Sequence, residues 1–420
     1  MFDLDRWQEI YHVLSKNKLR TFLTAFGVFW GIFMLVLMMG SGNGLQNGVT
    51  QNFGDMATNS VFLWTQQTSV PYKGFTRGRR FNYSNSDIQA LREAIPEIKY
   101  LAPRTNVGGY NGSSSVVRGL KNGQFPLFGD YPVFNQIDPV TMVDGRFIND
   151  FDIEDERKVV VIGVRVKELL FEKNENPINE YIQINGVYFK VVGLFQSKRT
   201  GEAASFDNQR IHMPFTTLQR TYNMGDAVGF FNITSKDGIP VALVEEKAMK
   251  VLKMRHTIAP DDDRAIGHFN LEVEYNKMQG LFFGIRLLVW IVGTGTLFAG
   301  VIGVSNIMLV VVKERTKEIG IMRALGATPA KIITQIITES VVLTTFAGYF
   351  GLCIGVGLLE LINYLIGSGG ANSEMFLHPG INFGVAVTAL SILVVSGALA
   401  GFIPARRAVS IKPIDALRAE

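Results

Sequence analysis

Four apolar stretches, each long enough to cross a bilayer, interrupt a chain that otherwise alternates between polar turns and short half-apolar segments. Residues 21–40 and 287–312 carry no charge, 340–359 are clean with the run continuing to Ile366 past Glu360, and 381–403 form the fourth. A helix of about 20 residues spans a hydrocarbon core ~30 Å thick. The pattern therefore predicts transmembrane helices at 21–40, 281–312, 332–366 and 381–403.

Residues 41–280, between the first two spans, carry a different pattern. NSVFLWTQQT (59–68), IKYLAPRTNV (98–107), AVGFFNITS (227–235) and FNLEVEY (269–275) alternate like strands. SDIQALREAI (86–95) and PVALVEEKAMKVLKMR (240–255) have helical spacing, the first with Ser86 as a candidate N-cap. Two β-α-β units thus flank a strand-rich middle portion, 112–222, in which Asn185-Gly186 is a hairpin signal. The expected fold is an α-helical membrane domain of four transmembrane helices plus an α+β extracytoplasmic domain, 41–280, with a β-rich lobe inserted at about 112–222. The glycine-rich GSGNG (40–44) is expected to let the chain leave the bilayer.

Composition agrees with a mixed protein. Hydrophobic residues make up 47% and charged residues 19%. That is too apolar for an ordinary soluble enzyme and too charged for a wholly embedded bundle. A net charge of +4 gives no argument for nucleic acid. The single cysteine, Cys353, rules out an intrachain disulfide. Lys16, Lys18 and Arg20 precede the first span as in a signal peptide, but the run is long for a signal core and no A-x-A site follows.

Charge orients the spans. Arg6, Lys16, Lys18 and Arg20 precede the first; Lys313, Arg315, Lys317, Arg323 and Lys331 lie between the second and third; Arg406, Arg407, Lys412 and Arg418 follow the fourth. The connection 367–380 has neither Lys nor Arg. The positive-inside rule puts segment 1–20, loop 313–331 and tail 404–420 in the cytosol, with 41–280 and 367–380 outside. Segment 1–20 is amphipathic, with Trp7, Ile10, Tyr11 and Leu14 on one face.

Catalytic signatures are missing from the sequence. His212, His256 and His268 lack zinc-ligand spacing and there is no HExxH. DDDR (261–264) reads as a solvated turn after a helix rather than a cation site. No Walker A pattern occurs, so these 420 residues are not expected to hydrolyse ATP or to hold a cofactor or metal.

The densest charge lies in KERTKEIGIMRALGATPAKI (313–332). Ile319, Met322 and Leu325 fall near one helical face with Ile321 beside them, Gly326 suits a C′ stop, and Thr328-Pro329 suits a restart. A short cytosolic helix is expected, too short to cross a bilayer. An interfacial helix on the inner leaflet would fit its length, but Glu314 and Glu318 are ill placed for anionic lipid, and mixed charge around an apolar patch suits a protein partner.

ERTKEIGIMRALGA resembles the signature of MacB/FtsX-type ABC transporter permeases, and PARRAVSIKPIDALR (404–418) resembles the tail of that family. SDIQALREAIPEIKYLAP, GRFINDFDIEDERKVVVIGVRVKELLF, INGVYFKVVGLF and DNQRIHMPFTTLQ are similar to its periplasmic core domain. The resemblance implies a non-catalytic inner-membrane permease working as a dimer, with a second copy or a paralogue. Two copies of a separate ATPase would supply ATP and Mg chemistry, and there is room for a periplasmic adaptor and an outer-membrane channel. It implies that Glu314, Arg315, Lys317, Glu318, Ile319, Met322, Arg323 and Leu325 meet that ATPase. Expected jobs are efflux or mechanotransmission to the outer domain; lipoprotein release, or a membrane-anchored sensor or scaffold regulating envelope enzymes, are the alternatives.

Two further expectations come from the spans. Gly27/Gly31, Gly351/Gly355 and Gly397/Gly401 form GxxxG pairs that permit close helix contact. Arg286 and Glu360, both expected near the outer interface, form a candidate ion pair between the second and third spans.

Overall fold

The computed structural model describes residues 18–410 apart from 52, 54, 109–111 and 369–375. The amphipathic segment with Trp7, Ile10, Tyr11 and Leu14, and the tail beyond Ser410, lie outside the described residues. The chain forms two units, Thr50–Gly280 and the remainder.

Helix α1 (Lys18–Gln51) opens the chain. The α+β unit follows with β1 (Ser60–Thr65), β2 (Tyr83–Ser84), α2 (Asn85–Ala94), β3 (Ile98–Asn106), β4 (Ser114–Arg118), β5 (Lys121–Phe125), β6 (Leu127–Asp130), α3 (Phe134–Ile137) and β7 (Thr141–Gly145). It continues through α4 (Asp150–Glu154), β8 (Val159–Gly163), α5 (Val164–Leu170), β9 (Tyr181–Ile184), β10 (Val187–Gln196), α6 (Gly201–Asp207), β11 (Ile211–Pro214) and α7 (Phe215–Thr221). It closes with β12 (Ala227–Val228), β13 (Phe230–Ser235), α8 (Val241–Arg255) and β14 (Ile266–Asn270). Helices α9 (Leu271–Glu314), α10 (Thr316–Ala324), α11 (Pro329–Ser368) and α12 (Phe383–Ser410) complete the described chain.

In the α+β unit the strands form a mixed sheet, ordered β14-β1-β13-β3-β6-β11-β8-β10-β9-β4-β5, with β7 also on β10. Two large cores and two small ones lie along it. The first packs Ile88, Leu91 and Ile95 of α2 and Val244, Ala248 and Leu252 of α8 against Val61, Leu63, Leu101 and Phe231. The second gathers Val116, Leu127, Val160, Ile162, Ile184, Phe189, Val191 and Ile211 from strands within 114–214. The halves meet where β3 pairs with β6 through only Thr105↔Gly129 and Asn106↔Phe128. Asn185 (φ 45°) and Gly186 (φ 90°) turn β9 into β10 with the positive φ values a type I′ hairpin needs.

Two local readings change. The N-cap of α2 is Ser84, not Ser86: Asp87 Oδ2 accepts from the Ser84 N–H at 2.8 Å, and the helix begins one residue before Ser86. FNLEVEY is not one strand. The Asn270 Oδ1 accepts from the Val273 N–H (3.0 Å), which starts α9 at Leu271. An N-cap followed by Glu272 and Glu274 in the first turn favours a helix, and alternation over seven residues is too short to overrule it.

The helical unit carries the four spans, each long and apolar enough to cross a membrane. Three run well beyond their apolar cores. In α1 the helix continues through GSGNG to Gln51 instead of ending at residue 40. Those residues are docked rather than unwound. A Cβ on Gly40 would lie 2.2 Å from Leu359 Cδ1, and one on Gly44 would lie 3.0 Å from Phe376 Cζ and Pro379 Cβ. Asn43 Nδ2 donates to the Gly380 carbonyl at 2.9 Å, and the Leu377 N–H donates to the Gly44 carbonyl at 3.0 Å. The glycines admit neighbouring groups to the helix surface, and length counted from apolar residues alone misses this.

Candidate coupling site

Helix α10 sits between α9 and α11 and is built to hold a fixed pose. Arg315 breaks from α-helical geometry (φ −94°, ψ 14°), so the helix starts afresh at Thr316. It ends in a Schellman arrangement. Gly326 has φ +93°, its N–H donates to the Arg323 carbonyl at 3.1 Å, and the Ala327 N–H donates to the Met322 carbonyl at 3.0 Å. The Thr328 carbonyl then accepts from the Lys331 N–H at 3.0 Å as α11 begins at Pro329.

The residues read as one interacting face divide between two sides. Ile319 is buried and Met322 packs partly against the membrane-helix core. Arg315 turns inward: its Nη1 donates to Glu339 Oε1 at 3.1 Å and its Nε to Glu318 Oε2 at 2.9 Å. The Arg315 side chain is 17% exposed and that of Glu339 only 5%. Arg323 Nη1 donates to the Val409 carbonyl at 2.7 Å, tying the far end of α10 to the end of α12. Lys313, Glu314, Lys317, Glu318, Ile321 and Leu325 remain exposed, Leu325 at 84%. The physical reason for the split is the 100° step of the helix. Ile319 and Met322, three apart, share the inner side, and Leu325 is carried past it as the helix closes.

Glu339 is the residue sequence reasoning missed. It sits just before the clean run 340–359, and a lone carboxylate in an apolar helix is itself a signal that a partner exists.

The glycine pairs lie at helix crossings. Gly27 approaches Gly300 and Gly31 approaches Leu297, both of α9. Gly351 and Gly355 face α1: added Cβ atoms would lie 2.6 Å from the Phe29 carbonyl oxygen and 2.8 Å from Val36 Cγ1. Gly397 and Gly401 face α11 at Thr344, Val341, Ser340 and Ile337. Arg286 and Glu360 are not paired. Arg286 donates to Gln46 Oε1 of α1 instead, and Glu360 makes no ion pair among the described residues. Depth explains this. Leu359 packs at Gly40 while Arg286 reaches Gln46, six residues farther along α1, or ~9 Å at 1.5 Å per residue.

The α+β unit holds no cluster of His, Cys, Asp or Glu suited to a metal among the described residues. Its buried charges are structural. Arg104 Nε lies 2.6 Å from Asp130 Oδ1, and His212 Nδ1 lies 2.6 Å from Asp130 Oδ2. Burial pushes the Asp130 carboxyl up, but Arg104 and His212 outweigh it and hold it below the usual range. Burial pushes His212 down despite Asp130. Asp87 is likewise held well below the usual carboxylate range: burial opposes this, and His256, Arg255 and the Ser84 N–H overcome it. In DDDR, Asp262 is buried and accepts from the Ser69 N–H (2.7 Å), the Val70 N–H (3.0 Å) and Ser69 Oγ (2.7 Å).

Four membrane-length helices, a folded α+β domain inserted after the first, and a braced helix between the second and third are the layout of a permease-type membrane subunit. The description "MacB-like periplasmic core domain" matches residues 21–251 and "FtsX-like permease C-terminal" matches 290–413. The chain belongs to this MacB/FtsX family of ABC transporter permeases, inner-membrane proteins with a periplasmic domain. It is 27% identical over 98% of its length to the macrolide export ATP-binding/permease protein MacB of Bdellovibrio bacteriovorus, and covers 61% of that protein. It is 28% identical over 99% of its length to the pyoverdine export ATP-binding/permease protein PvdT of Pseudomonas savastanoi pv. phaseolicola, and covers 60% of it. The chain thus spans about three-fifths of these relatives. Among solved structures, the periplasmic region of MacB from Actinobacillus actinomycetemcomitans aligns with 53% of this chain and 94% of its own, at 19% identity and a TM-score of 0.43.

Proposed function

We propose that this chain is the permease of a MacB-like ABC transporter, in which ATP binding and hydrolysis by an ABC ATPase drive movements of the α+β domain for efflux or mechanotransmission. The ATPase is a separate polypeptide in this proposal and brings ATP and Mg; this chain contributes no catalytic group. The permease acts as a dimer, with α10 and both termini cytosolic and residues 41–280 periplasmic, and it has room for an adaptor and an outer-membrane channel.

The observation that carries the proposal is the two-sided build of α10. Its inner side is fixed by Arg315, Ile319, Met322 and Arg323, while Lys317, Glu318, Ile321 and Leu325 stand exposed. Two exposed apolar residues among charges, on a helix braced from behind, suit a protein that pushes on them. Mixed charge at such a face sets partner register more than fold.

The test is purification of the native complex, with Ile321→Asp/Leu325→Asp and Glu314→Lys/Glu318→Lys as variants. A co-purifying ABC ATPase that is lost or uncoupled in both variants, with membrane insertion intact, is expected. A complex that keeps its ATPase and its coupled activity in both would overturn this role for α10.

A further inference from the structure

The loop 66–82 joins β1 to β2 and contains Lys73, Arg77, Arg79 and Arg80 with no acidic residue. β1 and β14 run antiparallel, with Val61 opposite Asn270 and Thr65 opposite Ile266. The chain enters the α+β unit just before β1 and turns toward its exit after Asn270, so both connections lie at one end of this strand pair. The loop lies at the other.

Its conformation is fixed by specific bonds. Lys73 (φ 45°) and Gly74 (φ 87°) form a tight hairpin tip, closed by the Tyr72 N–H to the Phe75 carbonyl (3.1 Å) and the Phe75 N–H to the Tyr72 carbonyl (3.0 Å). Buried Asp262 grips the loop at Ser69 and Val70. The Thr68 N–H donates to the Arg79 carbonyl at 3.1 Å. The Arg79 guanidinium lies 4.2 Å from the Phe75 ring centroid and donates to the His256 and Thr257 carbonyls at the end of α8. Lys73 is held in left-handed backbone, which an L side chain disfavours, so the order is imposed by the surroundings rather than by local preference.

This order presents an exposed ring among cations that no carboxylate neutralises among the described residues. Phe75 is 47% exposed, and Lys73, Arg77 and Arg80 are exposed and form no ion pair among the described residues. Of the neighbouring acids, Asp262 is spent on the loop backbone and Asp263 pairs with Lys253 at 3.2 Å, leaving Asp261 against three cations.

We propose that loop 66–82 is a docking surface for a separate protein that presents carboxylates around an apolar side chain. Aromatic residues and arginine are enriched at protein interfaces, and rim charges steer association and fix register. Phe75 is fixed in a closed hairpin and braced on one face by Arg79, a rigid aromatic among cations that suits an acidic protein surface; capture of a lipid or a glycan is the alternative the test excludes. The proposal stands apart from ATP coupling and from α10.

The test places a photocrosslinking amino acid at Thr76 of the full chain in its native host. One discrete polypeptide should be captured. Lys73→Glu/Arg77→Glu/Arg80→Glu should lower the yield about tenfold, because three attractive rim charges become repulsive. Lys73→Gln/Arg77→Gln/Arg80→Gln, which removes charge without reversing it, should lower it less. Converting acidic residues of the captured surface to Lys should restore the yield with the reversed chain. Arg79 and Asp262 stay in place in every variant because they build the loop. No captured polypeptide, a yield indifferent to reversal, a failed restoration, a glycan or lipid adduct, or a second copy of this chain would each overturn the proposal.

Discussion

Removing Arg315 should destabilise the helical unit more than removing its partner does. The Arg315 Nη1–Glu339 Oε1 distance is 3.1 Å, and the Glu339 side chain is only 5% exposed. Arg315→Ala takes the guanidinium from a buried carboxylate, a class of change that costs up to about 3–5 kcal/mol. Glu339→Ala is milder, about 1.5–3 kcal/mol, because Arg315 keeps its bond to Glu318 at 2.9 Å. The double variant removes both charges and should cost less than the sum, with a coupling of roughly 1–3 kcal/mol. Equilibrium unfolding of the purified chain in mixed micelles, followed by circular dichroism, measures all three. Glu339→Gln, which keeps an acceptor, should fall between wild type and Glu339→Ala. Strict additivity, or an Arg315→Ala cost no larger than that of Glu339→Ala, would refute the reasoning that this bridge braces α10.

Other outcomes follow from the same geometry. Gly351→Val should lower stability by ~1–3 kcal/mol because an added Cβ alone would lie 2.6 Å from the Phe29 carbonyl oxygen, while Gly42→Ala, with nothing within 4 Å, should be neutral or stabilising; the same unfolding assay reads both. Asp262 is held below the usual carboxylate range: burial opposes this, and its hydrogen bonds to Ser69, Val70 and Arg264 win. Its contribution is therefore full above pH ~3.9 and lost as pH falls through its lower folded value. Asp262→Asn should mimic that loss at neutral pH and speed tryptic cleavage after Lys73 and Arg77. In intact cells carrying Cys353→Ser, cysteines at Glu318 and Arg407 should label only from inside, and those at Asn111 and Asn372 from outside; outside labelling at 318 would reverse the topology.

Much of this architecture was legible because membrane-length apolar runs and strand alternation are strong, local signals. The hairpin at Asn185-Gly186 and the corner at Gly326-Thr328-Pro329 were legible for the same reason, since each depends on residue types that few other conformations require. What failed depended on neighbours distant in sequence. GSGNG reads as the point where the first span ends until Leu359 and Pro379 are seen against it and the helix runs on to Gln51. Arg286 and Glu360 look matched when depth is counted along each span alone. Spacing makes the face of α10 a single surface, because it cannot reveal that Glu339 and the Val409 carbonyl draw the two arginines inward.

The seam between β3 and β6 has a mechanical consequence. Two residue pairs cover only ~7 Å of strand. Such a short ladder resists sliding along the strands, since any slip breaks register, but offers little leverage against twisting. Torsion between the halves is resisted by Arg104, Asp130 and His212 beneath the seam, by the Lys198–Asp55 pair (2.7 Å), and by α7, which sends Phe215 into one core and Leu218 into the other. The strand seam by itself is therefore stiffer in shear than in torsion. A load reaching one half would arrive in the other as a rotation about this narrow joint, and α7, gripped by both cores, would act as its torsion spring.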